Sequence, residues 1–90
     1  MTKADVVELI AEKTGFTIKD IKVVVEGFID EVKEALTEDK HIEIRGFGTF
    51  KVKKHKQRKA RNPRTNQEVM VPERKKAFFK VSKEMNKSLN

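Results

Sequence analysis

The chain has no cysteine, no tryptophan and no tyrosine among its 90 residues, and only two prolines and four glycines. Without cysteine, neither disulfides nor a thiolate metal site holds it together. His41 and His55 stand fourteen residues apart with no cysteine to assist them, a set that makes no zinc site. No apolar run approaches membrane-spanning length, and the first residues resemble no apolar signal region. An intracellular aqueous compartment is therefore the expected location, with no membrane partner. No nucleophile–base pair, phosphate-cradling glycine loop or metal constellation is present. The chain is expected not to be an enzyme, and to need no cofactor and no small-molecule substrate. Ninety residues make one domain at most.

Acid is missing where base is abundant. The net charge of +7 divides unevenly: residues 1–44 carry six Lys/Arg against eleven Asp/Glu, and residues 45–90 carry fifteen against three. From Arg45 through Arg64 there are nine basic residues and no acidic one. A field that lopsided attracts a polyanion, nucleic acid first and an anionic membrane surface second. The bland alternative is a solvated basic face with no dedicated partner. The acidic first half argues for a folded body with one charged pole, not a uniformly cationic tail.

Helix signals open the chain. Thr2 is an N-cap with Asp5 three residues later, close to a capping box; Val6, Leu9 and Ile10 form an apolar stripe, and Gly15 suits the position after the helix end. Thr17 and Asp20 repeat the start signal. Ile21, Val24, Val25, Phe28, Ile29, Val32 and Leu36 then follow helical spacing, which predicts a second helix from about Ile18 to Glu38. After Lys40 the period shortens to two. His41 to Ile44 alternates, Arg45-Gly46-Phe47-Gly48-Thr49-Phe50 supplies a glycine-punctuated turn, and Lys51-Val52-Lys53 resumes the alternation. This predicts a hairpin with Ile42, Ile44, Phe50 and Val52 on its packed face.

Beyond Lys53 the alternation loses its apolar partner. Lys54 to Arg61 is polar on both faces, and Asn62-Pro63-Arg64-Thr65-Asn66 carries the signature of a type I turn, with Asn first and Pro second. Glu68 to Pro72 returns as an extended segment, Ala77, Phe79 and Val81 alternate again, and Ser82 caps a short helix that reaches Asn90. The fold class is α+β, with a helical hairpin at residues 1–40, a three-stranded antiparallel sheet over 41–81 and a terminal helix at 82–90. The sheet's long arm runs from about residue 54 to 73. A two-stranded ribbon with no buried face is marginal in water, so the arm is expected to be mobile until a partner orders it.

Without the arm, roughly seventy residues remain, near the size at which one core is only marginal. Yet the chain carries six phenylalanines and one wide apolar helix face. Phe28, Phe47, Phe50 and Phe79 would over-fill a body this small or leave a patch in water. Pairing two copies buries the surplus, so a homodimer is expected; the alternative is a monomer with a compact core.

The ten residues from Lys53 to Asn62 would span ~33 Å as a strand, enough to follow a groove around a duplex. Lysines and arginines on such a ribbon neutralise phosphates without reading sequence. Arg58, Arg61 and Arg64 are the best candidates for a narrow minor groove, because their planar, weakly hydrated heads suit it. Lys53, Lys56, Arg74, Lys76 and Lys80 extend the basic track, and Arg45, Gly46 and Thr65 sit at its turns. Lys3 and Lys83 lie at helix starts, where free amides face an anion; each also reads as a solvated surface lysine. Glu26 is an acid facing this region, expected to pair with one of these lysines when DNA is absent. Pro63 has two readings: it fixes the turn, or its apolar ring slides between stacked base pairs.

The run Arg45-Gly46-Phe47-Gly48-Thr49-Phe50, followed by Asn62-Pro63-Arg64-Thr65, resembles the HU/IHF family of bacterial histone-like DNA-binding proteins, and the likeness covers essentially the whole chain. It implies an intertwined HU-like dimer in which helices form the base and sheets a saddle for DNA. It also implies bending by a wedge at Pro63, which the residues alone do not establish. On the same resemblance Arg61 and Asn62 contact the groove beside the wedge, and Lys3 and Lys83 contact phosphates on the flank. The implied function is low-specificity minor-groove binding that bends and compacts duplex DNA, with bent, nicked or gapped DNA preferred, in the cytoplasmic nucleoid. Ala60 and Asn66 stand where the family usually has glycines, and Val81-Ser82 replaces a common Pro-Gly or Ala-Gly pair. Asn tolerates the left-handed conformation, so Asn66 is expected to keep the turn. Two other readings stay open: a site-specific IHF-like bending factor, and a basic RNA-binding protein, against which the absence of aromatics on the arm argues.

Overall fold

The computed structural model describes residues 1–90. In chain order the elements are α1 (Lys3–Thr14), α2 (Ile18–Thr37), β1 (Ile42–Ile44), β2 (Gly48–His55), β3 (Arg58–Arg61), β4 (Glu68–Val71), β5 (Arg74–Val81) and α3 (Lys83–Leu89). They fall into two compact units, Met1–Glu34 and Ala35–Asn90.

In the helical unit the local chemistry sets the boundaries. The Thr2 hydroxyl accepts from the Asp5 amide and the Asp5 carboxylate accepts from the Thr2 amide, a complete capping box on α1. Gly15, at φ 78°, ends that helix, and its N–H donates to the Ala11 carbonyl. Thr17 then accepts from the Asp20 amide at 3.2 Å to start α2. The core is three residues, Val7, Ala11 and Ile21, with Ile10 and Val25 packed against it. Val24 and Phe28, on the predicted apolar stripe of α2, are instead 67% and 48% exposed.

The second unit is built on an antiparallel sheet in the order β1-β2-β5, with β3 and β4 paired as a separate ribbon. The register places Ile42 opposite Phe50, Phe50 opposite Phe79 and Val52 opposite Ala77. Residues directly opposite share a face and faces alternate along a strand. Ile42, Ile44, Phe50, Val52, Ala77, Phe79 and Val81 therefore form one apolar face, and the expected hairpin face is correct. Phe79 holds it together, with its ring 4.9 Å from both Phe47 and Phe50 in tilted contacts. Ser82 caps α3 through a bond from the Met85 amide to its hydroxyl, and its own N–H donates to the Phe47 carbonyl.

Two glycines in the Arg45–Thr49 segment have different duties. Gly46 sits at φ 81°, a conformation that L side chains avoid. Gly48 has ordinary backbone angles but is buried, and a Cβ there would run into the Phe79 ring and the Lys80 carbonyl. Gly48→Ala is expected to destabilise the protein by about 1–3 kcal/mol, as overpacking does, and thermal unfolding of the variant measures it. An unchanged melting temperature would show that Phe79 has room to move.

Beyond His55 the ribbon is interrupted on both strands, by Lys56-Gln57 on one side and Pro72-Glu73 on the other. Proline has no N–H to continue a ladder. The β2–β5 pairing runs as far as His55 opposite Arg74, so Lys54, expected as the first arm residue, belongs to the three-stranded sheet. The tip also differs from expectation. Asn66 N–H donates to the Asn62 carbonyl at 2.8 Å and Asn62 N–H donates to the Gln67 carbonyl at 2.9 Å. The closing bond therefore spans four residues instead of the three of a simple type I turn. Asn66 takes φ 59°, the left-handed conformation expected of it, and this lets the longer turn close.

Candidate nucleic-acid interface

The alternation that collects the apolar residues on one face of the sheet collects cations on the other. Thr49 faces Lys80, Lys51 faces Phe78, Lys53 faces Lys76 and His55 faces Arg74. Lys51, Lys53, Arg74, Lys76 and Lys80 thus share a surface whose one acid is Glu43, opposite Thr49 at the far end. Like charges directly opposite across strands destabilise a sheet. Lys53 and Lys76 oppose each other without an ion pair to offset the repulsion. An external polyanion is the partner that removes that cost.

The neighbouring pair, Lys54 opposite Lys75, points to the other face and is neutralised within the chain. Asp39, in the turn after α2 at φ 62°, lies 3.4 Å from Lys54 Nζ and 3.0 Å from Lys75 Nζ. The Lys75 hydrogen bond foremost, then the hydrogen bond and charge of Lys54, hold the Asp39 carboxyl below its ordinary value against the opposing effect of desolvation. A lowered value means the contact stabilises at neutral pH and is lost as acid protonates Asp39. Asp39→Asn is expected to leave the melting temperature nearly unchanged, because the group is exposed and screened. It should still speed amide exchange at Lys54 and Lys75 severalfold by loosening the base of the ribbon. Hydrogen exchange followed residue by residue checks this, and unchanged protection there would show that the strands hold without the clamp.

Along the ribbon, Arg58 faces Val71, Lys59 faces Met70, Ala60 faces Val69 and Arg61 faces Glu68. Arg58 therefore lies on a face with Ala60, Val69 and Val71, whereas Lys59 and Arg61 occupy the opposite one. The two arginines do not share a surface, so they meet a ligand from different sides of the ribbon. At the tip the Asn62 carboxamide oxygen accepts from the Arg64 amide at 3.0 Å, and Pro63, Arg64 and Thr65 are exposed. Lys56 lies in the break between β2 and β3, and Arg45 and Gly46 in the β1–β2 turn. Lys83 is the first residue of α3. Lys3 belongs to the helical unit, where it pairs with Glu26 at 3.2 Å, the partnership expected of that acid. The sequence reading passed over Lys51, which alternation from Thr49 puts on the basic face, and Lys59, which alternation puts beside Arg61.

The model of the Bacterial DNA-binding protein family matches residues 1–90. The chain belongs to that family. It is 40% identical over 90 residues to the integration host factor subunit alpha of Anaeromyxobacter sp. strain Fw109-5, covering all of this chain and 91% of the relative. It is 35% identical over 89 residues to the DNA-binding protein HU of Thermotoga maritima, covering 99% of each. Among solved structures, an Anabaena HU–DNA cocrystal superposes with a TM-score of 0.85 at 28% identity, covering 99% of this chain and 97% of that one. The chain is thus a DNA-binding architectural protein of the HU and integration host factor type, with the three helices and antiparallel sheet of HU. No helix is long and apolar enough to cross a membrane, and no cluster of His, Cys, Asp or Glu is arranged to hold a metal ion.

Proposed function

We propose that the protein works as an HU-like homodimer that grips the minor groove of duplex DNA with two ribbon arms, bends it and compacts the nucleoid in the cytoplasm. The observation that carries this reading is the unneutralised row of cations on one sheet face, centred on the opposed Lys53 and Lys76. That surface suits phosphates of any sequence, and it leads through Lys56 and Arg74 to the ribbon that bears Arg58, Arg61 and Arg64. Arg45, Gly46, Lys80 and Lys83 flank it, while Lys3 supplies a further phosphate contact once DNA competes it away from Glu26. Asn62, Pro63 and Thr65 form the tip that enters the groove, with Pro63 as the wedge. DNA already bent, nicked or gapped is preferred, because part of the deformation cost is absent.

Binding to intact duplex, nicked duplex and structured RNA across a salt series tests the reading. Arg58→Ala and Arg61→Ala should each weaken binding to every duplex sequence and reduce the slope of log affinity against log salt by about one unit. Tighter binding to structured RNA than to duplex would overturn it. The integration host factor relatives, alpha at 40% and beta at 38% identity, favour a second reading as a site-specific bending factor. A large excess of affinity for one duplex sequence over others at physiological salt would select it.

A further inference from the structure

The basic face of the sheet carries one side chain that phosphate binding does not explain. Phe78 lies directly opposite Lys51 and alternates along β5 with Lys76 and Lys80, which share its face. It is 42% exposed. The ring contacts of the protein, Phe47 with Phe79 and Phe50 with Phe79, belong to the apolar side, so Phe78 plays no part in that cluster. A large aromatic in water among lysines costs apolar exposure and adds nothing to a purely electrostatic surface. Cations that track a backbone, interleaved with an aromatic on a rigid strand, are the elements of a single-strand stacking platform. In an intact duplex the base faces are covered by their neighbours. At a gap, or in a single strand, they are free.

We propose that Phe78 is a base-stacking contact that lets this face capture an unstacked base of single-stranded or gapped DNA, with Lys51, Lys76 and Lys80 holding the adjoining phosphates. The inference rests on DNA binding by this face and adds a residue that discriminates between DNA states. The arm has no aromatic, but the basic face of the sheet carries one.

Phe78→Leu keeps an apolar side chain of similar size and removes the π-face. Affinity for oligo-dT and for a duplex with a short gap should fall about tenfold, and affinity for intact duplex should change by less than about twofold. Gapped and single-stranded DNA, measured separately, show whether flanking duplex is needed. Phe78→Trp restores binding and introduces the protein's one indole, since the chain has no Trp or Tyr. Its fluorescence should be open to acrylamide in the free protein and quenched on adding oligo-dT. Equal loss on all three DNAs, no loss on any, or an indole shielded from acrylamide in the free protein would each overturn the proposal. Failure of the unmodified protein to bind intact duplex would instead overturn the function proposed above.

Discussion

Phe28→Asp is expected to abolish the folded protein at micromolar concentration, and the unmodified protein to melt at a temperature that rises with its own concentration. A single chain gives little reason for the first result. Phe28 is 48% exposed, and a substitution at so open a position ordinarily changes stability by less than about 0.5 kcal/mol. Yet the apolar residues buried in one chain are only Val7, Ala11 and Ile21, while Val24, Phe28, Phe47 and Phe79 are all 40% exposed or more. Large apolar side chains left open in one chain are what a dimer contact covers, and so we propose that a second copy covers them. An Asp at position 28 would then place a charge inside that contact with nothing to pair it. For an obligate dimer, a hundredfold change in concentration should move the midpoint by about 5–10 °C. A midpoint that stays flat, with Phe28→Asp folded and monomeric, would establish that one chain is self-sufficient.

Features decided by near neighbours were legible in the sequence. Thr2 with Asp5, Thr17 with Asp20 and Ser82 with Met85 are contacts across three residues, and each cap forms where the pattern put it. The left-handed Asn66 follows from the same local chemistry. Alternation likewise identified Ile42, Ile44, Phe50 and Val52 as one face. What escaped depended on partners distant in sequence. Asp39 reaches Lys75 across thirty-six residues, and nothing near Asp39 announces that it neutralises Lys54 and Lys75. The role of Gly48 is set by Phe79 and Lys80 on a strand thirty residues away. Charge alone singled out Lys53 and Lys56 and passed over Lys51 and Lys59, whereas the β2–β5 register puts Lys51 and Lys53 on one face with Lys54 on the other, and the β3–β4 register divides Arg58 from Lys59. The arm's first residue was misplaced for the same reason: loss of apolar alternation after Lys53 marks the end of packing, whereas strand pairing continues to His55.

Pro63→Ala is expected to lower the bend in bound DNA far more than it lowers affinity, and the tip geometry is what makes the test clean. The hydrogen bonds that shape the tip run from Arg64 N–H to Asn62 Oδ1, from Asn66 N–H to the Asn62 carbonyl and from Asn62 N–H to the Gln67 carbonyl. None of them involves Pro63, whose ring is exposed. Alanine therefore leaves the turn closed and removes only the rigid apolar ring. If that ring unstacks a base step, it converts a few kcal/mol of stacking loss into extra contacts along bent DNA. Without it, a short linear duplex stays straighter and circularises much less readily. Affinity falls less, because the lysine and arginine contacts persist and the unstacking cost also disappears. On gapped DNA, where the step is already open, the variant should bind nearly as well as the parent. Pro63→Leu supplies a second apolar wedge and should recover part of the bend, which a turn-fixing role for proline would not allow. Circularisation unchanged in Pro63→Ala would mean that the ring never enters the stack, and that bending comes from the charged faces alone.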